Sequence, residues 1–400
     1  VSPTVVAAHT PARTGRSGAL ATVTELLDLR PFRGGPVPAG RALLGVVAGR
    51  SGPRFLVPLD HPAAAPEACL AYLALRDRRT RLTRGAVGLA LRAGLGGLVL
   101  RDRVTADAGP GSLVGRLAEL VADPDEEPGL AVAVGLGHAD DVWKPTLQVF
   151  RPDGEPAAFV KVGVGPVAAH LVEAEADALA RWGDHPDPRL LVPGLRATEV
   201  WAGHPVAVVD PLPLDARRLP VGTVSPRPVR DLDGPPSRAR VAQAGWWTGR
   251  RDAAGKPEAD LLAAIEERHG EREGTWARWH GDWVPWNLAR CHRGLIAWDW
   301  EYSEPGAPMG LDEVHGAYQQ ARVVGGRSIA GALAAARAEA RRVAASLALE
   351  DHADPDGGAW LADAHVAMLV TRDAEVARLA GRPTAQGAQL LAAARGAVHR

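Results

Sequence analysis

The residues best able to do chemistry lie close together in the chain. They are His280-Gly281-Asp282-Trp283-Val284-Pro285-Trp286-Asn287, followed by Leu295-Ile296-Ala297-Trp298-Asp299-Trp300-Glu301. A carboxylate at 282 can orient a hydroxyl and take its proton as the oxygen attacks. Asn287 and Asp299 supply hard oxygen donors of the kind that Mg²⁺ prefers. Asp299 ends a short apolar run, so its carboxylate emerges where a strand stops. This set suits phosphoryl transfer from a nucleotide to a hydroxyl, a reaction catalysed mainly by positioning and charge neutralisation, which also needs a cation on the phosphates. Of 46 basic residues only Lys144, Lys161 and Lys256 are lysines, so a surviving lysine is informative. Lys161 closes the run Ala158-Phe159-Val160-Lys161, and Lys256 sits in the loop Asp252-Ala253-Ala254-Gly255-Lys256.

These residues need elements to hold them. Residues 1 to about 20 are small and polar, without periodicity, and read as frayed. Strands are expected over 41–47 and 54–59, and helices near 65–77, 80–94 and 111–122. The charged, proline-bounded segment Asp123–Pro128 reads as a domain boundary. After it come strands over 130–137, 146–150 and 157–162, the last two joined by the turn Arg151-Pro152-Asp153-Gly154-Glu155. A helix over 168–182 precedes strands near 189–192, 196–201 and 205–209. From Pro211 to about Arg240 the chain is rich in Pro and Arg. Beyond it lie a short strand pair around 287–300 and alanine-rich helices near 315–322, 327–349, 359–380 and 386–398. A small antiparallel sheet with one helix, followed by a large helical part, is an α+β, two-lobed layout.

Asp282 followed after four residues by Asn287 matches the kinase spacing of catalytic Asp and metal-binding Asn. The sequence resembles the aminoglycoside phosphotransferase and choline kinase family, whose fold is protein-kinase-like. His280-Gly281-Asp282 is similar to that family's catalytic loop, and Trp298-Asp299-Trp300-Glu301 to its metal-binding segment. Pro308-Met309-Gly310-Leu311-Asp312 is similar to the family's Pro-x-x-Asp element, whose Asp braces the loop. The resemblance spans about 130–320 and implies a nucleotide-binding N-lobe over 127–212 and a helical C-lobe over 213–400. Residues 1–126 would form a mixed α/β N-terminal cap or appendage.

The resemblance also implies roles. Asp282 is the base and His280 a brace of its loop. Lys161, held by Glu175 with Glu173 as the fallback, meets the nucleotide phosphates, and the backbone from Val209 to Leu212 meets the adenine. Asn287 and Asp299 hold Mg²⁺, with ATP as donor and a small-molecule hydroxyl as acceptor: a sugar or polyol first, an aminoglycoside or amino alcohol next. The alternative is a catalytically inactive nucleotide-binding or scaffold protein of the same fold. Gly135–Trp143, where a phosphate-covering loop is expected, holds only two glycines and an acidic pair.

Other features read as structural. Gly163-Val164-Gly165-Pro166-Val167-Ala168 imitates a dinucleotide fingerprint, but Asp184 and Asp187 precede the next strand rather than ending it. Eight of the twelve tryptophans fall between Trp246 and Trp300, as core and cleft wall. Glu301 and Glu304 could face a cationic acceptor, with solvent the expected surroundings of Glu304. His315 reads as a packed histidine. A net charge of −1 argues against nucleic acid and against an acidic membrane surface as partners. The most apolar run, Ala86–Leu100, is interrupted by Arg92 and too short to span a bilayer, and Cys69 and Cys291 stand far apart with no close-spaced ligand set. The expectation is a cytoplasmic protein whose oligomeric state the sequence leaves open.

Overall fold

The structure, a computed structural model, describes residues 16–49, 52–70, 78–121, 129–137, 140–184, 187–220, 222, 225–229, 235–349 and 357–398. The chain divides into two units. The first comprises Val1–Ala71, Arg79–Ala169 and Glu199–Val208; the second comprises Tyr72–Arg78, His170–Thr198 and Val209–Arg400.

In chain order the elements begin with α1 (Arg16–Leu27), β1 (Arg30–Pro31), β2 (Arg41–Gly49), β3 (Gly52–Pro58), α2 (Ala64–Leu70) and α3 (Arg78–Arg92). Next come α4 (Gly96–Val99), β4 (Arg103–Asp107), α5 (Leu113–Val121), β5 (Ala131–Gly135), β6 (Thr146–Phe150) and β7 (Pro156–Val162). Then follow α6 (Pro166–Asp184), β8 (Leu190–Leu191), β9 (Leu195–Trp201) and β10 (His204–Val209). Strands β1–β7, β9 and β10 form a nine-stranded sheet of order β1-β4-β2-β3-β5-β6-β7-β10-β9. Central strands carry unbroken apolar runs because both faces are covered, and Val132, Val134, Leu147, Val149 and Val160 are all buried. Strand β3 pairs antiparallel with β5 through Phe55↔Gly135 and Leu56↔Val134. Strands from before and after the expected boundary therefore share one sheet. Of that boundary segment, 122–128 lie outside the described residues.

Two expectations for this region change. Residues 16–20 are not frayed but open α1, because Ala19, Val23, Leu26 and Leu27 fall on one helical face and are buried. Strand β4, capped by Arg103 and Asp107, escapes a reading by hydropathy but pairs with β2 from Arg41↔Asp107 to Gly45↔Arg103. Of the helix expected over 65–77, residues 71–77 lie outside the described residues.

The second unit adds β11 (Arg217–Arg218), β12 (Ser237–Arg240), α7 (Gly245–Ala253), α8 (Lys256–His269) and β13 (Glu273–Trp279). After these come β14 (Leu288–Cys291), β15 (Gly294–Ala297), β16 (Glu304–Pro308), α9 (Leu311–Gln319), α10 (Ile329–Ala348), α11 (Gly358–Ala380) and α12 (Gly387–Val398). Beyond the expected pair β14–β15 there are two small sheets, β11-β14-β15-β8 and β12-β13-β16. The second was hidden because β16 is proline-flanked and β13 is punctuated by tryptophans. The architecture is α+β, with an antiparallel sheet in one unit and mostly helices in the other. Ala332, Ala336, Ala340 and Ala344 recur every fourth residue on α10 and are buried, so α10 packs closely on its neighbours without side-chain entropy cost. The tryptophans fill the core: Trp360 meets Trp247 and Trp276 edge-on at centroid distances of 5.7 and 6.0 Å. Among the described residues no helix is long and apolar enough to cross a membrane.

Candidate active site

The loop after β13 turns at Gly281, whose φ of 89° suits glycine, and an added Cβ there would collide with the Tyr302 backbone. Two backbone donors of the turn, His280 N and Gly281 N, reach the two oxygens of Asp312 at 2.8 and 2.9 Å. Asp312 lies in the first turn of α9, where the helix dipole favours a carboxylate. Burial nevertheless pushes its pKa up to about 7, against the pull of the two N–H groups.

His280 is fixed in one tautomer. Its Nδ1 accepts from Asp282 N at 3.2 Å, so the proton sits on Nε2, which donates to Trp298 O at 3.0 Å. The ring packs 4.4 Å from the Trp300 ring, and burial holds its pKa below the usual histidine value. It is a brace that ties the loop to the 298–300 segment.

Asp282, with its side chain 18 % exposed, is the group this scaffold presents. Asn287 Nδ2 donates to Asp282 Oδ2 at 2.8 Å and to its backbone oxygen at 3.2 Å. The loop is pinned further by Trp283 Nε1, which donates to Pro226 O at 2.6 Å. Arg372 donates to Gly281 O at 3.3 Å while its guanidinium lies 3.9 Å over the Tyr302 ring.

A second cluster stands in the same unit. Carboxylate oxygens of Glu175, Asp299 and Glu301 all lie within 4.8 Å of one another, an oxygen-donor set that suits a hard divalent cation. Asp299 holds φ of 64°, a strained conformation of the kind found where side chains must be aimed. Glu175 reaches this cluster from α6 because Trp182, seven residues on and thus on the same helical face, packs edge-on against Trp300 at 4.8 Å. Glu175 is buried and Glu173 exposed.

Lys161 is buried on β7 of the first unit, opposite Thr146 of β6, whereas Glu175 belongs to the second unit. Val209 ends β10, and Leu212 packs on the small apolar cluster of Ala216, Ala289 and Ile296, with Trp298 beside it. In the loop after β5, His138 and Ala139 lie outside the described residues. Gly163 donates to Pro205 O at 2.8 Å, and Asp187 is paired with Arg189 Nε at 2.9 Å, so the dinucleotide look-alike is a packing link. Glu304 is not simply solvated: it pairs with Arg250 at 2.8 Å.

Three features carry little signal along the chain. Glu301 belongs with Asp299, a grouping that the two-residue spacing offered. His365 gave no local signal, yet it lies beneath His315. Cys291 is not apart from other ligands: its sulfur lies within 4.8 Å of His292 and Asp215 ligand atoms, and Asp215 pairs with His292 Nδ1 at 2.7 Å.

No family model matches the chain, and no curated protein matches it in sequence. Among solved structures, the chain is similar to an amicoumacin kinase in complex with AMP-PNP and Ca²⁺, at 12 % identity over 72 % of this chain and 92 % of that one, with a TM-score of 0.39. An aminoglycoside phosphotransferase from Alicyclobacillus acidocaldarius matches at 12 % identity over 72 % and 93 % of the two chains, with a TM-score of 0.33. A glucosamine kinase matches at 18 % identity over 98 % and 97 %, also with a TM-score of 0.33.

Proposed function

We propose that the protein is an ATP- and Mg²⁺-dependent phosphotransferase that moves the γ-phosphoryl group to a hydroxyl of a small molecule. The observation that carries this reading is Asp282. Its carboxylate is held by Asn287 in a loop braced by Asp312, in the same unit as the Glu175–Asp299–Glu301 oxygen cluster.

Asp282 orients the acceptor hydroxyl and receives its proton at a carboxylate oxygen, while Asn287 keeps the other oxygen engaged. The fit to Mg²⁺ rests on the donor set: Glu175, Asp299 and Glu301 offer only oxygen, and the Asn287 carboxamide oxygen adds a neutral donor. When bound, the metal–nucleotide complex would supply a phosphoryl group whose negative charge is partly neutralised. Lys161 supplies the cation for the phosphates, with Glu175 as its partner in the family that the sequence resembles. The backbone from Val209 to Leu212, with the apolar cluster under Leu212, receives the adenine.

The acceptor class favoured is a sugar or polyol, with an aminoglycoside or amino alcohol next. The aromatic surroundings of the loop favour it, since Trp298 remains partly exposed and Tyr302 lies under Arg372. The test is transfer from ATP to a pooled panel of sugars, aminoglycosides and amino alcohols, read by mass spectrometry with and without a Mg²⁺ chelator. A phosphorylated product lost on chelation supports the reading. Nucleotide binding without product from any acceptor supports the inactive scaffold instead.

A further inference from the structure

We infer that His315 and His365 are positioning residues for Asp282: a relay of two neutral imidazoles aims one N–H at the Asp282 carboxylate and fixes its orientation. This role rests on the phosphotransfer reading of Asp282; the relay itself stands on geometry alone.

Both rings are fully enclosed, His315 at 1 % and His365 at 0 % exposure, where two leucines would fill the space without any polar group to satisfy. His315 lies three residues after Asp312 on α9 and so on the same face. One turn of helix thus presents Asp312 to the loop's backbone N–H groups and His315 to the loop's carboxylate. His315 Nε2 lies 3.7 Å from Asp282 Oδ1, and His315 Nδ1 lies 3.2 Å from His365 Nε2. On the far side, His365 Nδ1 is buried and has no hydrogen-bond partner among the described residues.

The two ends together set the direction of the relay. A carboxylate attracts an N–H and repels a ring lone pair, so the Asp282 end asks for a proton on His315 Nε2, and the partnerless His365 Nδ1 is then left bare rather than protonated. The His365 proton therefore sits on Nε2 and is donated to His315 Nδ1. His315 then carries its own proton on Nε2, facing Asp282 Oδ1. The opposite arrangement would strand an N–H at His365 Nδ1 and turn a lone pair toward a carboxylate. At 3.7 Å the contact is a charge–dipole attraction rather than a hydrogen bond. Gln319, one turn further along α9, stands with its carboxamide nitrogen 3.3 Å from the same Nε2; with an N–H on that ring nitrogen the amide must be turned end for end, so that its oxygen accepts. Asp282 is thereby held from two sides, by Asn287 at Oδ2 and by His315 at Oδ1. Burial keeps both histidines below their usual pKa, so the relay stays neutral and a proton taken up by Asp282 is not passed into the core.

The test begins with the unmodified full chain. Long-range ¹H–¹⁵N correlation spectra should show Nε2–H tautomers at both His315 and His365. An Nδ1–H tautomer at His315 would overturn the inference whether or not an acceptor had been found. Substitution then asks whether the relay acts at a distance. His365→Leu removes the donor to His315 Nδ1 without touching Asp282, and should lower kcat roughly ten- to a hundredfold with KM for both substrates within about twofold. His365→Gln, whose Nε2 can donate at the same place, should recover most of that loss. Equal turnover in the two variants would overturn the relay, as would a loss in His365→Leu that appears only in KM. Correct tautomers in a protein that transfers no phosphoryl group would overturn the phosphotransfer reading, and with it the role given to the relay.

Discussion

Around Asp282, buried polar groups converge: Asp312 takes two backbone N–H groups, His280 joins the loop to Trp298, Asn287 holds the carboxylate, and His315 lies behind it. In the first unit, α3 also buries polar side chains, but to a different end. Its inward face carries Thr80, Arg84 and Gly88, whereas Leu82 and Leu89 are 65 % and 62 % exposed. The Arg84 guanidinium lies 3.9 Å over the Phe55 ring and donates to Ala68 O, so it clamps α3 onto α2 and β3. The contacts of that clamp are an aromatic ring and a backbone oxygen, which fix a helix in place. Polar burial alone therefore does not mark a site; convergence on one accessible group does.

The comparison predicts where substitution should hurt. The largest effect among the supporting residues is expected at Asp299. Asp299→Asn keeps a residue type that tolerates a φ of 64° but removes a charged oxygen donor, and transfer should fall ~10³-fold with the melting temperature unchanged. Steady-state rates beside a thermal melt check this.

Asp312→Asn should come next, because a carboxamide oxygen can accept only part of what two carboxylate oxygens accept from His280 N and Gly281 N. About 1–3 kcal/mol of stability should be lost. Its pH signature is separate. The folded chain holds the Asp312 proton up to about pH 7, whereas an unfolded carboxyl releases it near 3.8, so the folded state binds more protons between those values. This group's contribution is fully present below the unfolded pKa and lost as pH rises through about 7. Denaturant melts across that window should show the slope in the parent and its absence in Asp312→Asn.

A smaller effect is expected at Glu301. Glu301→Gln should raise the Mg²⁺ concentration for half-maximal rate by roughly tenfold, while Glu304→Gln should move it less than about twofold, since Glu304 is occupied by Arg250. Equal shifts in the two variants would remove Glu301 from the cluster. The smallest effects on transfer belong to α3. Arg84→Met should cost roughly 1–3 kcal/mol of stability and leave kcat unchanged. Leu82→Gln should stay within about 0.5 kcal/mol of the parent in an equilibrium melt.

How much of this could be read beforehand follows from distance along the chain. Asp282 and Asn287 are held by a hydrogen bond across five positions, so their spacing carries their geometry. The Glu175 and Glu173 pair was ambiguous because helix position alone does not say which face is buried; Trp182 against Trp300 decides it, and that contact joins residues 118 positions apart. His365 was illegible for the same reason, lying 50 positions from His315 in an alanine-rich helix with no polar pattern around it. Strands β12, β13 and β16 were lost to proline and tryptophan interruptions, since their pairing, and not their hydropathy, makes them strands. The inverted face of α3 was equally hidden: its leucine spacing describes a helix but not which side faces in.

The measurement that bears most directly on the central claim is the initial rate of Mg²⁺-dependent transfer from ATP by Asp282→Asn beside the parent, with the panel acceptor that yields most product. Asn can still accept the hydrogen bond from Asn287 but cannot take the acceptor's proton. The expected result is a loss of at least ~10³-fold at an unchanged melting temperature. Transfer by Asp282→Asn at the parent's rate would contradict the account.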